Sequence, residues 1–149
     1  MKVRSIPEQN RIMDICAKER IDTIIPEIMK QRNVECWLVA SKEYHEDLIF
    51  PAITPGNYLT ARRVTMMVFI LKNDEYHKFS LSLPDKGLSE LYEPYWNCCK
   101  ETQEEALNRL LEEYDPANIC LNTSKNYTFS DGLSMGLYQW LKEVVNPKY

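Results

Sequence analysis

The chain has 149 residues, and 44% of them are hydrophobic, which is enough for one globular domain with a sizeable core. Its formal net charge of -4 argues against a nucleic-acid partner, because such proteins need a basic face to displace phosphate counterions. The apolar runs are shorter than the roughly 18 to 20 residues of a membrane-spanning helix, and the first residues show no signal-peptide core. We therefore expect a cytoplasmic protein without a membrane segment.

A long helix is the first element that the sequence predicts. Ser5 and Glu8 form a capping-box pattern at its start. An apolar stripe at helical spacing follows and consists of Ile21, Ile24, Ile25 and Ile28. Pro26 removes a backbone donor within this stripe, so the helix should kink or split there, with Asp22 or Thr23 capping the second piece.

Two apolar runs predict adjacent strands. The first follows Glu35 and ends abruptly in a charged and aromatic cluster, and the second extends over 64–71, directly after two arginines. The second run is apolar apart from one threonine, which is typical of a strand covered on both faces. A polar turn at 72–75 leads into a third run at 76–83, so these two runs should form an antiparallel hairpin.

The segment between the first two strands is irregular in sequence. Tyr44 to Phe50 predicts a short helix ahead of Pro51. Residues 51–57 contain two prolines, a glycine and an asparagine, which predicts an exposed loop.

The C-terminal third predicts a helix, a strand and a helix. A capping box at Thr102 begins an amphipathic helix that Pro116 ends, and a short apolar strand follows at 118–121. Ser130 should cap the final helix. The order of elements predicts a single α/β domain over 1–149, with one mixed sheet flanked by helices.

Five cysteines are present, at Cys16, Cys36, Cys98, Cys99 and Cys120. Their odd number, the absence of C-x-x-C spacing and their apolar surroundings predict reduced, buried residues. The adjacent pair at 98 and 99 is the exception, because it precedes a helix start that could stabilise a thiolate. No histidine neighbours this pair in sequence, so we predict no nucleophile there.

The sequence offers little from which to build a hydrolytic centre. It has two histidines, His45 and His77, and a metal site would need several carboxylates converging from different elements. The candidate carboxylates are scattered and comprise Asp14, Asp22, Glu46, Asp47 and Asp131. We predict no metal site and no catalytic residue within this chain.

Two clusters could nevertheless bind a ligand. Tyr44, His45 and Asp47 follow a strand and precede an irregular loop, so they form either the rim of a cleft or a solvated helix start. Arg62 and Arg63 could capture a carboxylate through paired guanidinium hydrogen bonds. Alternatively, these arginines form surface ion pairs with the acidic excess of the chain.

The chain resembles the N-terminal domain of creatinase/prolidase-type proteins, particularly Xaa-Pro aminopeptidases of that metallopeptidase family. The resemblance covers roughly residues 11–145. The segments that carry it are Arg20-Ile21-Asp22 with Pro26-Glu27-Ile28-Met29, Trp37-Leu38-Val39 with Glu43 to Asp47, Arg63 with Met66 to Phe69, Leu91 to Pro94 with Trp96, and Phe129 to Leu133.

This resemblance implies a domain of ribonuclease-H-like topology, followed in the family by a catalytic domain of the pita-bread type. That second domain binds two divalent metals, commonly manganese, cobalt or zinc. It is absent from this chain, so no metal ligand can be carried over. The N-terminal domain is implied to be a lid and a dimerisation element that packs on the catalytic domain, forms a homodimer or higher oligomer, and limits which peptides enter.

In creatinase-like members an arginine at the start of the corresponding strand reaches the substrate carboxylate in a neighbouring subunit, and Arg63 matches that position. Arg62 stands where related sequences often carry a small residue. His45 and Leu48 depart from the Tyr-Asn-Glu-Asp-Pro pattern of the family. Our leading hypothesis is a non-catalytic specificity and assembly domain of such a peptidase. The alternatives are a free-standing ligand- or protein-binding module on the same scaffold and a nuclease-like enzyme that uses acidic residues.

Overall fold

A computed structural model describes residues 3–83 and 87–149, which form an α/β domain. The helices are α1 (Ile6–Glu19), α2 (Ile25–Arg32), α3 (Phe50–Ile53), α4 (Leu88–Leu91), α5 (Gln103–Tyr114) and α6 (Met135–Val144). The strands are β1 (Cys36–Lys42), β2 (Val64–Lys72), β3 (Glu75–Leu81), β4 (Glu93–Pro94) and β5 (Ile119–Leu121). Within the described ranges, none of the helices has the length and apolar character needed to cross a membrane.

The five strands form one mixed sheet in the order β4-β3-β2-β1-β5. β2 is antiparallel to both of its neighbours, whereas β5 is parallel to β1 and β4 is parallel to β3. The predicted hairpin of β2 and β3 is therefore confirmed. The register places Lys42 at the end of β1 opposite Val64 at the start of β2. The segment that follows β1 and the two arginines that precede β2 therefore lie at the same edge of the sheet.

Helices cover both faces of the sheet and create two apolar layers. Leu38 and Val68 point toward α5 and α6, whereas Val39 and Met67 point toward α2, α3 and α4. Successive side chains of a strand point to opposite faces, so β2 contributes to both layers. Its residues from Met66 to Ile70 are all fully buried, as its continuous apolar sequence predicts.

The regular α-helix is interrupted near Pro26 as expected, but the interruption is a π-helical turn. Between α1 and α2 the chain forms a π-helical turn over Arg20–Ile24, in which the amide of Ile25 bonds to the carbonyl of Arg20. Pro26 is the second residue of α2, and the break in regular α-helical pairing at this π turn accommodates its missing donor. Neither predicted cap is present, because Asp22 instead forms ion pairs with Lys18 and Lys78.

The apolar stripe of this region also differs from the prediction. The π turn holds one more residue than an α turn, and the buried positions accordingly recur at every fourth residue, at Ala17, Ile21, Ile25 and Met29. Ile24 and Ile28 were expected in the stripe, but they are 45% and 50% exposed. The prediction assumed regular α-helical geometry.

The expected helix over 44–50 is wrong, since the chain forms turns there and α3 begins only at Phe50. The expected exposed loop is wrong as well, because residues 53–56 are buried beneath α1. The amide of Gly56 donates to the carboxylate of Asp14 at 2.8 Å. A Cβ atom at Gly56 would lie 2.9 Å from the Cα atom of Asn10, so this glycine permits the close approach of α1.

The final helix begins later than predicted. Ser130 ends a 3₁₀ turn over Thr128–Ser130, and the N-cap of α6 is Ser134, whose hydroxyl accepts from the amide of Leu137. Asp131 therefore precedes the helix. Its carboxylate accepts from the amide of Ser124 at 3.0 Å and closes the loop that follows β5.

The cysteines only partly follow the prediction. Cys36 is buried in β1, and this burial raises the pKa of its thiol. Cys120 is exposed, because it lies on a short edge strand whose middle side chain faces away from the core. Cys98 and Cys99 are exposed in the loop before α5.

Candidate functional site

The structure brings the predicted binding residues to one edge of the sheet. The amide of Glu43, just after β1, donates to the carbonyl of Arg63 at 2.7 Å. Tyr44 and His45 follow β1, Arg62 and Arg63 precede β2, and all four side chains are exposed. We call these four residues the edge cluster.

Two members of the edge cluster have an unusual backbone conformation. Tyr44 has φ of 63° and Arg63 has φ of 55°, both in the left-handed region, which costs an ordinary L-residue about 1 to 2 kcal/mol. The remaining described non-glycine residues with positive φ are all Asn or Asp, which tolerate this region: Asn33, Asn73, Asp74 and Asp115. Tyr44 is 86% exposed, so packing of its ring does not offset the strain. Strain of this kind is concentrated at functional sites.

Glu46 holds the edge cluster in place. Its Oε1 atom accepts hydrogen bonds from the amide of Tyr44 at 3.2 Å, from the amide of Ala61 at 2.9 Å and from the hydroxyl of Thr60. Burial raises the pKa of Glu46, but these hydrogen bonds outweigh it, and the pKa lies below its usual value. The carboxylate thus joins the turn after β1 to the segment that enters β2, and the edge cluster is formed before any ligand binds.

Asp47 lies behind this surface and not on it. It is 1% exposed, and its carboxylate accepts from the amide of Ile49 and from the side chain of Asn122, both at 2.9 Å. Asn122 in turn accepts from the indole N–H of Trp37 at 2.7 Å. Asp47 therefore anchors the turn that carries Tyr44 and is not positioned to contact a ligand from solvent.

Gly132 completes this anchor, and the sequence prediction did not identify it. A Cβ atom at this position would lie 2.5 Å from the Asp47 carboxylate, so the position accommodates glycine alone. The next residue, Leu133, donates its amide to the carbonyl of Asn122 at 3.0 Å. The Asp131-Gly132 dipeptide is a turn signal, but the contact with a carboxylate 85 positions earlier leaves no local pattern.

Replacing Asp47 by asparagine tests the buried carboxylate. Burial raises the pKa of Asp47, and the hydrogen bonds from Ile49 and Asn122 offset this only in part. A carboxyl group with a raised folded-state pKa contributes stability below its unfolded pKa of about 3.9 and loses it as the pH rises through the folded-state pKa. We expect the free energy of unfolding of the native chain, relative to Asp47→Asn, to fall as the pH rises above about 4. Urea unfolding of both proteins from about pH 3.5 to 7 measures this, and a difference independent of pH would contradict it.

The edge cluster is basic within an acidic protein. Lys42, Arg62 and Arg63 are exposed at the paired ends of β1 and β2, and Glu43 is an acidic neighbour. In the part of the chain that the structure describes, none of these three cations forms an ion pair. The predicted alternative, a surface ion pair of the arginines, is not seen there.

The carboxylates considered as metal ligands do not converge. Asp14 accepts from the amide of Gly56 in a distant segment, Asp131 accepts from the amide of Ser124 within its own loop, and Asp22 pairs with lysines. Over residues 3–83 and 87–149, no group of three or more His, Cys, Asp or Glu side chains is placed to hold a metal ion.

The chemistry of the edge cluster suits the recognition of a carboxylate. Two guanidinium groups provide planar sets of donors, and Tyr44 adds an exposed aromatic ring with a hydroxyl group. The carboxylate of Glu46 is engaged with the backbone and is not placed as a free base. No family model, curated protein or solved structure matches this chain.

Proposed function

We propose that this chain is a non-catalytic specificity and assembly domain of a Xaa-Pro aminopeptidase or dipeptidase of the creatinase/prolidase type. In this role Arg63 pairs with the carboxylate of a short peptide at the active site of a neighbouring subunit. The observation that carries the proposal is the edge cluster, in which Tyr44 and Arg63 have strained backbones and exposed side chains, and the amide of Glu43, next to Tyr44, donates to the carbonyl of Arg63.

The sheet supports the proposed ribonuclease-H-like topology. β2 is antiparallel to β1 and β3, β1 and β5 are parallel, and helices cover both faces. A domain built in this way presents the end of β1 and the start of β2 at one edge, which is where a neighbouring active site would be contacted.

Assembly is supported by apolar side chains that the N-terminal helices leave exposed. Ile12 and Ile15 lie about one turn apart on α1 and are 39% and 58% exposed, and Ile24 and Ile28, also about one turn apart, are 45% and 50% exposed. Exposed apolar surface of this kind is typical of contacts between proteins. We assign it to a homodimer or higher oligomer, or to the catalytic domain, which would hold the pair of manganese, cobalt or zinc ions.

The reading frame of the gene provides one test. A frame that continues past the codon for Tyr149 into spaced Asp, Asp, His, Glu and Glu ligands supports the peptidase assignment. A stop codon there would instead favour a free-standing ligand-binding module that uses the same edge cluster.

An assay of the purified chain provides a second test. We expect no hydrolysis of Xaa-Pro peptides with added manganese or cobalt, because a metallopeptidase needs a converging set of ligands and the proposal places that set in another domain. Release of the N-terminal residue is measured by chromatography, with a complete Xaa-Pro aminopeptidase as the positive control. Metal-dependent turnover by this chain would contradict the proposed role.

A further inference from the structure

A cleft of about 640 Å³ lies beyond the end of β5. β1 and β5 are parallel neighbours, so their carboxyl ends lie at the same edge of the sheet. The strand order reverses between them, since the chain leaves β1 toward β2 on one side and reaches β5 on the other. Crevices at such a reversal are the preferred ligand sites of open α/β sheets.

One wall of the cleft is apolar and the rim is polar. Leu133, Met135 and Tyr138 form the apolar wall. The rim contains Ser124, Lys125 and Asp131, and its two charges are of opposite sign. A mainly apolar pocket with a few polar groups is typical of a binding site for an uncharged apolar group.

The loop that frames the cleft is held by its own hydrogen bonds. The amide of Ser124 donates to Asp131, and the hydroxyl oxygen of Ser124 accepts from the amides of Asn126 and Tyr127 at 3.2 and 3.0 Å. These bonds leave large apolar side chains exposed beside the cleft, with Tyr127 at 72% and Phe129 at 83%. The apolar surface therefore extends beyond the cleft itself, which suits a peptide better than a single small molecule.

The cleft and the edge cluster share a wall. Gly132, between two residues of the cleft, touches Asp47, which anchors the turn that carries Tyr44. Asp47 is only three residues from Tyr44. At most about 11 Å of chain therefore separates this contact from the edge cluster, which is within the length of a short extended peptide.

We propose that the cleft is a binding subsite for an apolar side chain of a short peptide. The peptide extends along the edge of the sheet and places its carboxylate at the edge cluster. The inference deepens the proposed function and rests on it for the carboxylate end of the peptide, whereas the apolar end depends on the cleft alone.

Nuclear magnetic resonance titration of the isotope-labelled chain tests the cleft. The probes are the tetrapeptides Phe-Ala-Ala-Ala and Ser-Ala-Ala-Ala as free acids, and the C-terminal amide of the first. We expect Phe-Ala-Ala-Ala to shift the resonances of Leu133 and Tyr138 and to bind about ten-fold more tightly than the serine peptide, because burial of the phenyl ring removes apolar surface from water.

Met135→Ser is the informative variant, because Met135 is 69% exposed and its replacement should spare the fold. It should weaken binding of the phenylalanine peptide several-fold and leave the serine peptide unaffected. Leu59→Ser is the matched control, since Leu59 is 87% exposed but does not line the cleft.

The outcomes separate this inference from the proposed function. Equal binding of the two peptides, no effect of Met135→Ser, or no shift at Leu133 up to about 10 mM peptide would overturn the cleft assignment. Dependence on phenylalanine and on Met135 without dependence on the free carboxylate or on Arg63 would support the cleft and contradict the proposed role of the edge cluster.

Discussion

Replacing Gly132 by alanine is expected to lower the free energy of unfolding by about 2 to 4 kcal/mol. The added methyl group would lie 2.5 Å from the Asp47 carboxylate, a separation that real Cβ atoms do not adopt. Either the loop before α6 or the carboxylate must move. Movement of the carboxylate breaks its buried hydrogen bonds to Asn122 and Ile49 and leaves their donors unsatisfied.

Urea unfolding followed by circular dichroism measures this loss, and the chain provides a matched control. Gly136 lies in the first turn of α6 with no atom within 4 Å of an added Cβ. Gly136→Ala should therefore be neutral or stabilising by up to about 1 kcal/mol, because alanine is the better helix former. In a double-mutant cycle, Asp47→Ala should reduce the cost of Gly132→Ala. Equal effects of the two glycine substitutions would show that the close contact has no energetic weight.

Under the proposed function, replacing Arg63 by alanine in a protein that joins this chain to its peptidase domain is expected to raise KM for short peptides with a free carboxylate by about ten-fold or more. A charge-assisted hydrogen bond contributes about 1.5 to 3 kcal/mol, and about 1.4 kcal/mol corresponds to a factor of ten. Alanine keeps the Cβ atom, so the left-handed backbone strain at this position is unchanged and the comparison isolates the guanidinium group. Arg63→Lys should restore only part of the affinity, because a point charge replaces a planar fork.

Steady-state kinetics with paired free-acid and amidated peptides measure this effect. The amidated peptide lacks the carboxylate, so its KM should change little in Arg63→Ala. Arg62→Ala is the matched control, since Arg62 is an equally exposed arginine one position earlier. Equal losses on both peptides, or an effect that appears only at Arg62, would contradict the role assigned to Arg63.

Features of the fold that depend on local sequence could be predicted. The capping boxes at Ser5 and Thr102 begin helices as expected, because the donor and acceptor lie three residues apart. β2 is buried on both faces, as its apolar run implies. Both halves of the edge cluster were identified in the sequence, but their meeting at one edge depends on the antiparallel pairing of β1 with β2, which the sequence did not specify.

The remaining features depend on contacts between distant segments. Asp47 looks like a surface residue in the sequence. It is buried because Asn122 donates a hydrogen bond to its carboxylate and because Gly132, which lacks a Cβ atom, leaves space for it. Residues 53–56 look like a loop and are buried because Gly56 lets α1 approach. Periodicity and composition carry no information about contacts between such distant segments. The late start of α6 is also not predictable in this way, because the hydrogen bond from the amide of Ser124 to Asp131 keeps Asp131 in the loop before the helix.

The π turn over Arg20–Ile24 has a geometric consequence for the whole N-terminal helix. Each residue of an α-helix rotates the chain by about 100° around the helix axis, so the one extra residue of the π turn changes the direction in which all side chains of α1 point. Without that residue α1 would be turned about its own axis by more than a quarter of a circle. Ala17 would leave the core, and a different set of side chains would replace Ile12 and Ile15 on the outer surface. The extra residue of the π turn therefore determines which side chains of α1 are exposed to solvent.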